Sequence, residues 1–282
     1  MNRSLGFLLV VLCAASASAA QAQVLWPALI DPSTFVPDYA GDKVIDRGSL
    51  QVRGAASQTR WEDFVVARRP DGGYSIISLI TPASVAYTAQ GRWDFDHAWI
   101  ATRAVGLGTD KESGIMRGVL IERAGDVITM RRETLTKDGA SKTDTWTVPC
   151  GRDCFMDMAP SALPMTVMAR HVPPTSAGPQ AFRWVGISMI QDSVLTEGKA
   201  RLDPPRLQAA TGNDGTPLGI RHWHFVEDLK DDVSGRTGQM HGHFWTDERG
   251  FVRKFGMGVT PAPTTIGIRT GDEAFADAMK AD

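Results

Sequence analysis

From about Val44 onward, short apolar or β-branched runs alternate with turn chemistry, which is the pattern of an all-β chain. Pro70-Asp71-Gly72-Gly73 separates WEDFVVARR from YSIISLIT, and Ala124-Gly125-Asp126 separates MRGVLIER from VITMRRETLT. Asp138-Gly139, Asn213-Asp214-Gly215 and the run from Asp247 to Gly250 punctuate the chain in the same way. Glycine after Asp or Asn adopts positive φ without steric conflict, so these sites predict hairpins. Within RWDFDHAWIA, Trp93, Phe95, His97 and Trp99 fall on one face while Arg92, Asp94 and Asp96 fall on the other. A period of two marks a half-buried strand.

Helical signal is sparse. SALPMTVMARH, residues 161–171, predicts one short helix with Ser161 as cap and Pro164 in its first turn. GDEAFADAMKAD predicts a second near the C-terminus, capped near Thr270 or Asp272. The stretch 23–43 carries three prolines and no steady period, and predicts an extended arm. The expected architecture is mainly β: a strongly curved antiparallel sheet, or an open β-barrel, with one or two short helices. It has one β domain over residues 44–260 and a tail over 261–282.

The stretch IRHWHFVEDLKDDVSGRTGQMHGHFW concentrates four of the six histidines as two His-x-His pairs. If its two ends pair as a hairpin, any loop with an even number of residues places His222, His224, His241 and His243 on one face. A turn centred between Asp232 and Val233 sets His222 opposite His243 and His224 opposite His241. A turn at Ser234-Gly235 sets His224 opposite Trp245. Cross-strand Cβ atoms lie about 4.5–5.5 Å apart, within reach of a shared Zn²⁺ or Cu²⁺. Alternation turns Glu227 to the opposite face, with Trp223 and Phe225. That opposite face reads as core, and the histidine face as a wetted surface or the lining of a concavity.

GHFWTDERGFVRKFGMGV, with Trp245, Asp247, Gly250, Arg253 and Lys254, resembles the last hairpin of a family of exported proteobacterial β-sheet proteins of unknown function. The order of a long meander, a short Pro-rich helical segment, a two-strand return and this hairpin is similar as well. The resemblance implies a curved antiparallel sheet related to the lipoprotein-carrier fold, and an exported location. It implies no catalytic residues, and carriage of lipid would follow only by analogy of fold.

The N-terminus refines the location. MNRSLGFLLVVLCAASASAAQAQ has one Arg, a short apolar run and small residues, the pattern of a secretory signal peptide over residues 1–22. The competing lipoprotein reading at Cys13 would put the large Leu12 before the lipidated residue. The apolar run is shorter than the ~20 residues a membrane span needs, and no later segment meets that length, so the product is expected to be periplasmic and not an integral membrane protein. The formal charge is -2, and removing Arg3 makes it slightly more negative. Such balance gives no case for nucleic acid. In an oxidising compartment Cys150 and Cys154 are expected to form a structural disulfide; a redox dithiol is the alternative, although the spacing is not C-x-x-C.

No G-x-S-x-G elbow, P-loop or dinucleotide fingerprint appears in a supporting context. Eight Trp and eleven Met stand against three Tyr, a supply of adaptable apolar surface that suits a core or a greasy cavity. Two readings follow. The first is a non-enzymatic periplasmic carrier, without cofactor, that holds a hydrophobic small molecule or lipid against Trp93, Phe95, His97, Trp99 and Trp245. In it, His97 is either a core histidine or a polar group inside the pocket. The alternative is a metal-binding protein or metal-dependent enzyme using Zn or Cu on the four histidines. A third class, an envelope scaffold, would show an exposed apolar patch.

Overall fold

A computed structural model describes residues 27–36, 39–53, 58–81, 86–152, 154–159, 161, 163–172, 176–211, 215–230, 233–235, 237–261, 265–272 and 279. The expected leader and nearly all of the expected C-terminal helix lie outside the described residues.

The architecture is one sixteen-stranded sheet. A first wing is a meander of β1 (Lys43–Arg53), β2 (Gln58–Arg68), β3 (Tyr74–Ile80), β4 (Tyr87–Phe95), β5 (Ala101–Asp110), β6 (Met116–Ala124), β7 (Val127–Leu135) and β8 (Ser141–Pro149). A second wing holds β9 (Cys154–Ala159), β10 (Gln180–Ser188), β11 (Val194–Leu202), β12 (Arg206–Thr211), β13 (Pro217–Lys230), β14 (Thr237–Thr246), β15 (Val252–Gly258) and β16 (Thr265–Arg269). The predicted turn glycines 72, 125, 139, 215 and 250 all have positive φ. β9 runs parallel to β10, while the hairpins to either side are antiparallel.

β16 pairs with β1, so the first and last strands meet in the middle of the sheet. The segment expected as a tail therefore supplies an interior strand: Thr265-Ile266-Gly267-Ile268-Arg269 is short, β-branched and bounded by turns. The sheet is not closed. The two ends of its main strand order are β8 and β9, successive in the chain and joined through the disulfide between Cys150 and Cys154, whose Cα atoms lie 5.6 Å apart. Arg123 clamps this corner by donating to the carbonyls of Cys150, Gly151 and Cys154.

Curvature brings the second wing over the first. Met158 and Met189 pack on β5 at Gly106 and Gly108, where a Cβ would approach Met158 Sδ and Met189 Cβ to 3.0 Å. The absence of side chains at these glycines leaves room for this close approach. Between them lies the main core, with Trp93, Ile121, Met130 and Met156 fully buried.

The described part of the arm is not extended throughout. It winds through two 3-10 turns, Pro32–Phe35 and Tyr39–Gly41, the first capped by Asp31 accepting from the Ser33 amide. Ile30 packs on Val105 and Leu120, covering the outer face of β5 and β6. The buried Arg92 fastens this cover by donating to Asp42 at 2.6 Å and Asp94 at 2.7 Å, since an interior guanidinium persists only when paired. The helix α1 covers Leu163–Met168, shorter than the sequence pattern predicts, with Ser161 Oγ accepting from the Leu163 amide. Bonds from Arg170 and His171 back to Val167 and Met168 tighten its last turn and end it early.

Candidate functional site

The hairpin β13–β14 forms as the alternation predicts, with its histidines on one face. Its register sets His224 opposite His243 and His222 opposite Trp245. This is neither of the two registers anticipated from the turn residues, but it has the same parity. Pro204 and Pro205 end β11's line, and the chain re-pairs as β12 beside the first half of β13. That step places Asp203 against His224.

On the outer face the imidazoles bond to one another. His224 Nδ1 donates to Asp203 Oδ2 at 2.7 Å, and His241 Nδ1 lies 3.3 Å from His224 Nε2. His243 Nε2 donates to the Pro261 carbonyl at 2.8 Å, and its Nδ1 lies 3.0 Å from His222 Nε2. With neutral rings the fixed acceptors Asp203 and Pro261 orient each dyad, so His241 and His222 act as donors. His222 stacks on Trp245 at 4.5 Å. Burial, first, holds the His243 ring below the usual histidine range, and the neighbouring His224, His241 and Arg206 act in the same direction against the bond to Pro261. A space of about 220 Å³ lies among His222, His224, His243, Asp203, Arg206 and Pro261. Among the described residues no group of three or more His, Cys, Asp or Glu side chains is placed to hold a metal ion.

The inner face differs. Trp223 and Phe225 enter the core, and Glu227 follows them inward. There a cavity of about 260 Å³ lies among β9, β10, β11, β13, β14 and β15. Trp184, Ile187, Val194, Leu195, Met240 and Met257 supply apolar wall, and Asp157 and Glu227 reach it from β9 and β13. Gly186 stands opposite Asp157 in the register, so no side chain covers the carboxyl there. Glu227 is 2% exposed and Asp157 9%. Asp157 Oδ1 and Glu227 Oε1 have no hydrogen-bond partner among the described residues.

Burial is the largest influence on both groups, because removing a carboxylate from water disfavours its charge. It pushes Asp157 up to about 7, with Glu62 adding to the rise and a bond from the Met158 amide opposing it. It pushes Glu227 up to about 8, with Asp157 and Asp228 adding to the rise. Glu62, nearby on β2, accepts from Ser78 Oγ and from Ser161 Oγ.

The aromatic residues singled out from the sequence do not gather at this cavity. Trp93 and Phe95 are core, and none of Trp93, Phe95, His97, Trp99 and Trp245 lines it. Alternation stops at Phe95. Asp96 accepts from the amides of Ala98 and Ile100, which turns the chain. His97 is therefore exposed on a turn rather than inside, and Trp99 has φ 62°. Trp99 stacks on Tyr74 at 4.1 Å, beneath Arg170. Trp245 lies on the outer face, its indole donating to Gln208 at 3.1 Å. Asp157 and Glu227 were the residues the sequence reading did not select for a cavity. The available signal was one acid in each of two otherwise apolar inward rows, Phe155-Asp157-Ala159 and Trp223-Phe225-Glu227.

No family model matches the chain, and no curated protein matches it. A solved structure similar to it is that of a DUF1089 family protein from Pseudomonas aeruginosa. The two are 16% identical, the match covers 68% of this chain and 86% of that one, and the TM-score is 0.34. No helix of the described residues is long and apolar enough to cross a membrane.

Proposed function

We propose that this protein is a non-enzymatic periplasmic binder or carrier of an apolar or amphipathic small molecule, lipid-like in its chain, held in the cavity between β9–β11 and β13–β15. The observation that supports it is that cavity: about 260 Å³, with mostly apolar walls and two buried carboxyl groups. Ligand sites have this composition, because the wall supplies transfer free energy and a few polar groups fix orientation. The location rests on the leader pattern at residues 1–22.

The test is native mass spectrometry of protein exported with its own leader. The expected spectrum shows the processed chain with an apolar small molecule bound, and a released mass on activation. A bare chain that also fails to take up a fluorescent fatty-acid analogue overturns the reading.

A further inference from the structure

We infer that the head group selected by this cavity is a protonated amine on an apolar chain, held between the Asp157 and Glu227 carboxyl groups, and that its entry expels a proton to solvent. This rests on the binding function proposed above. The two acids come from different strands and line one space, each with an oxygen that has no partner among the described residues. Such buried oxygens ask for donors. An ammonium group carries three N–H donors and can serve both acids, whereas a hydroxyl donates once and a carboxylate not at all.

The surrounding charge points the same way. Glu62 and Asp228 act on the pair as negative neighbours, and Tyr87, next to Glu62, is pushed up to about 12 by burial and by that charge. Lys230 lines the cavity but is exposed to solvent, and among the described residues the charges that act on the two acids are negative. An anionic head would meet repulsion, and an ammonium would meet the countercharge it needs.

The proton balance follows. With the empty pair at about 7 and about 8, at least one of its carboxyl groups is protonated at neutral pH. A cation at ~4–6 Å favours the ionised acid. The net step is an alkylammonium ion plus a protonated carboxyl group giving an ammonium–carboxylate pair plus one free proton. No electron moves and no other bond changes.

The experiment is calorimetric titration of the disulfide-bonded mature protein with octylamine, octanol and octanoate, at several pH values in two buffers of different ionisation enthalpy. Octylamine stays charged throughout, since alkylamines titrate near ~10. The expected result is octylamine binding at least about tenfold tighter than octanol. Its affinity should rise toward about tenfold per pH unit below neutrality, with a heat that depends on the buffer. Glu227→Gln and, separately, Asp157→Asn should flatten that pH slope and shrink the preference for octylamine over octanol. Equal binding of amine and alcohol without proton release overturns the head-group inference and leaves the carrier reading standing. Octanoate binding tightest overturns it in favour of Lys230 as the head-group contact. Failure of all three ligands overturns both.

Discussion

The two faces of the β13–β14 hairpin have the same backbone and opposite chemistry. Outward, four imidazoles bond to each other, to Asp203 and to the Pro261 carbonyl. Inward, Glu227 and the neighbouring Asp157 of β9 border an open cavity, each with an oxygen that has no hydrogen-bond partner among the described residues. A polar group that already has good partners contributes to the fold, whereas a desolvated one left unpaired raises the folded state's free energy until a ligand pairs with it. For the proposed binding function this contrast favours the inner face, although the outer face carries the more conspicuous residues.

The largest effect that could break this assignment comes from filling the cavity. Leu195→Trp combined with Met240→Trp places two indoles into the lined space. Octylamine affinity is expected to fall about a hundredfold, near 3 kcal/mol, as read by calorimetry. Unfolding should stay cooperative because both positions border open volume. Undiminished affinity would move the site elsewhere.

A backbone test is next in size. Gly242 lies opposite Phe225, and the ring occupies the place where a Cβ would project; Phe255 covers Gly267 in the same way. Gly242→Ala is expected to cost about 2–3 kcal/mol by overpacking, read as a shifted denaturation midpoint with unchanged m-value. His241→Ala, one residue along on the outer face, should cost under about 1 kcal/mol. Equal losses would mean that the two faces are equally packed.

This asymmetry also explains what the sequence could and could not disclose. Hairpins were legible because Asp-Gly and Asn-Asp-Gly turns fix positive φ locally, and the shared face of the four histidines followed from parity alone. Register did not follow, because the loop 231–236 has several residues able to turn. Nor did the inside of the curve: alternation separates two faces but does not say which is concave, and that depends on β16 returning to β1 and on Gly106 and Gly108 admitting the second wing. His97 and Trp99 were misplaced because the period of two continues through Asp96, whose side chain ends the strand by capping the turn. The parallel β9, which brings Asp157 to the cavity, is set by long-range pairing that no local pattern records.

The inner acids make a smaller, pH-resolved prediction. The folded protein holds the Glu227 proton up to about 8, whereas the unfolded chain releases it near the ordinary 4.5. Between those values the native state binds more protons, so stability is complete below about 4.5 and declines as pH rises through about 8. Glu227→Gln removes that decline. At pH ~9 the variant is expected to be more stable than the parent, read as a higher Tm, and the difference should shrink toward pH ~5. A variant equally stable at both ends would mean that the carboxyl is solvated and the inner face is not distinct.

The smallest expected effect tests the outer face. Asp203→Asn keeps an acceptor for His224 Nδ1 but removes the charge from a pair that is partly open to solvent, with side chains 26% and 35% exposed. The cost should be about 0.5–1 kcal/mol, with octylamine affinity unchanged, because neither residue lines the inner cavity. Zinc added to the parent protein sharpens the same point. If the imidazoles are engaged with one another, breaking two dyads offsets much of what coordination returns, and Tm should move by less than ~2 °C. A rise of many degrees that disappears in His222→Ala with His243→Ala would show that the metal competes successfully for these rings. The outer face would then be a metal-binding centre, and the contrast between paired and unpaired polar groups would no longer favour the inner face as the proposed ligand site.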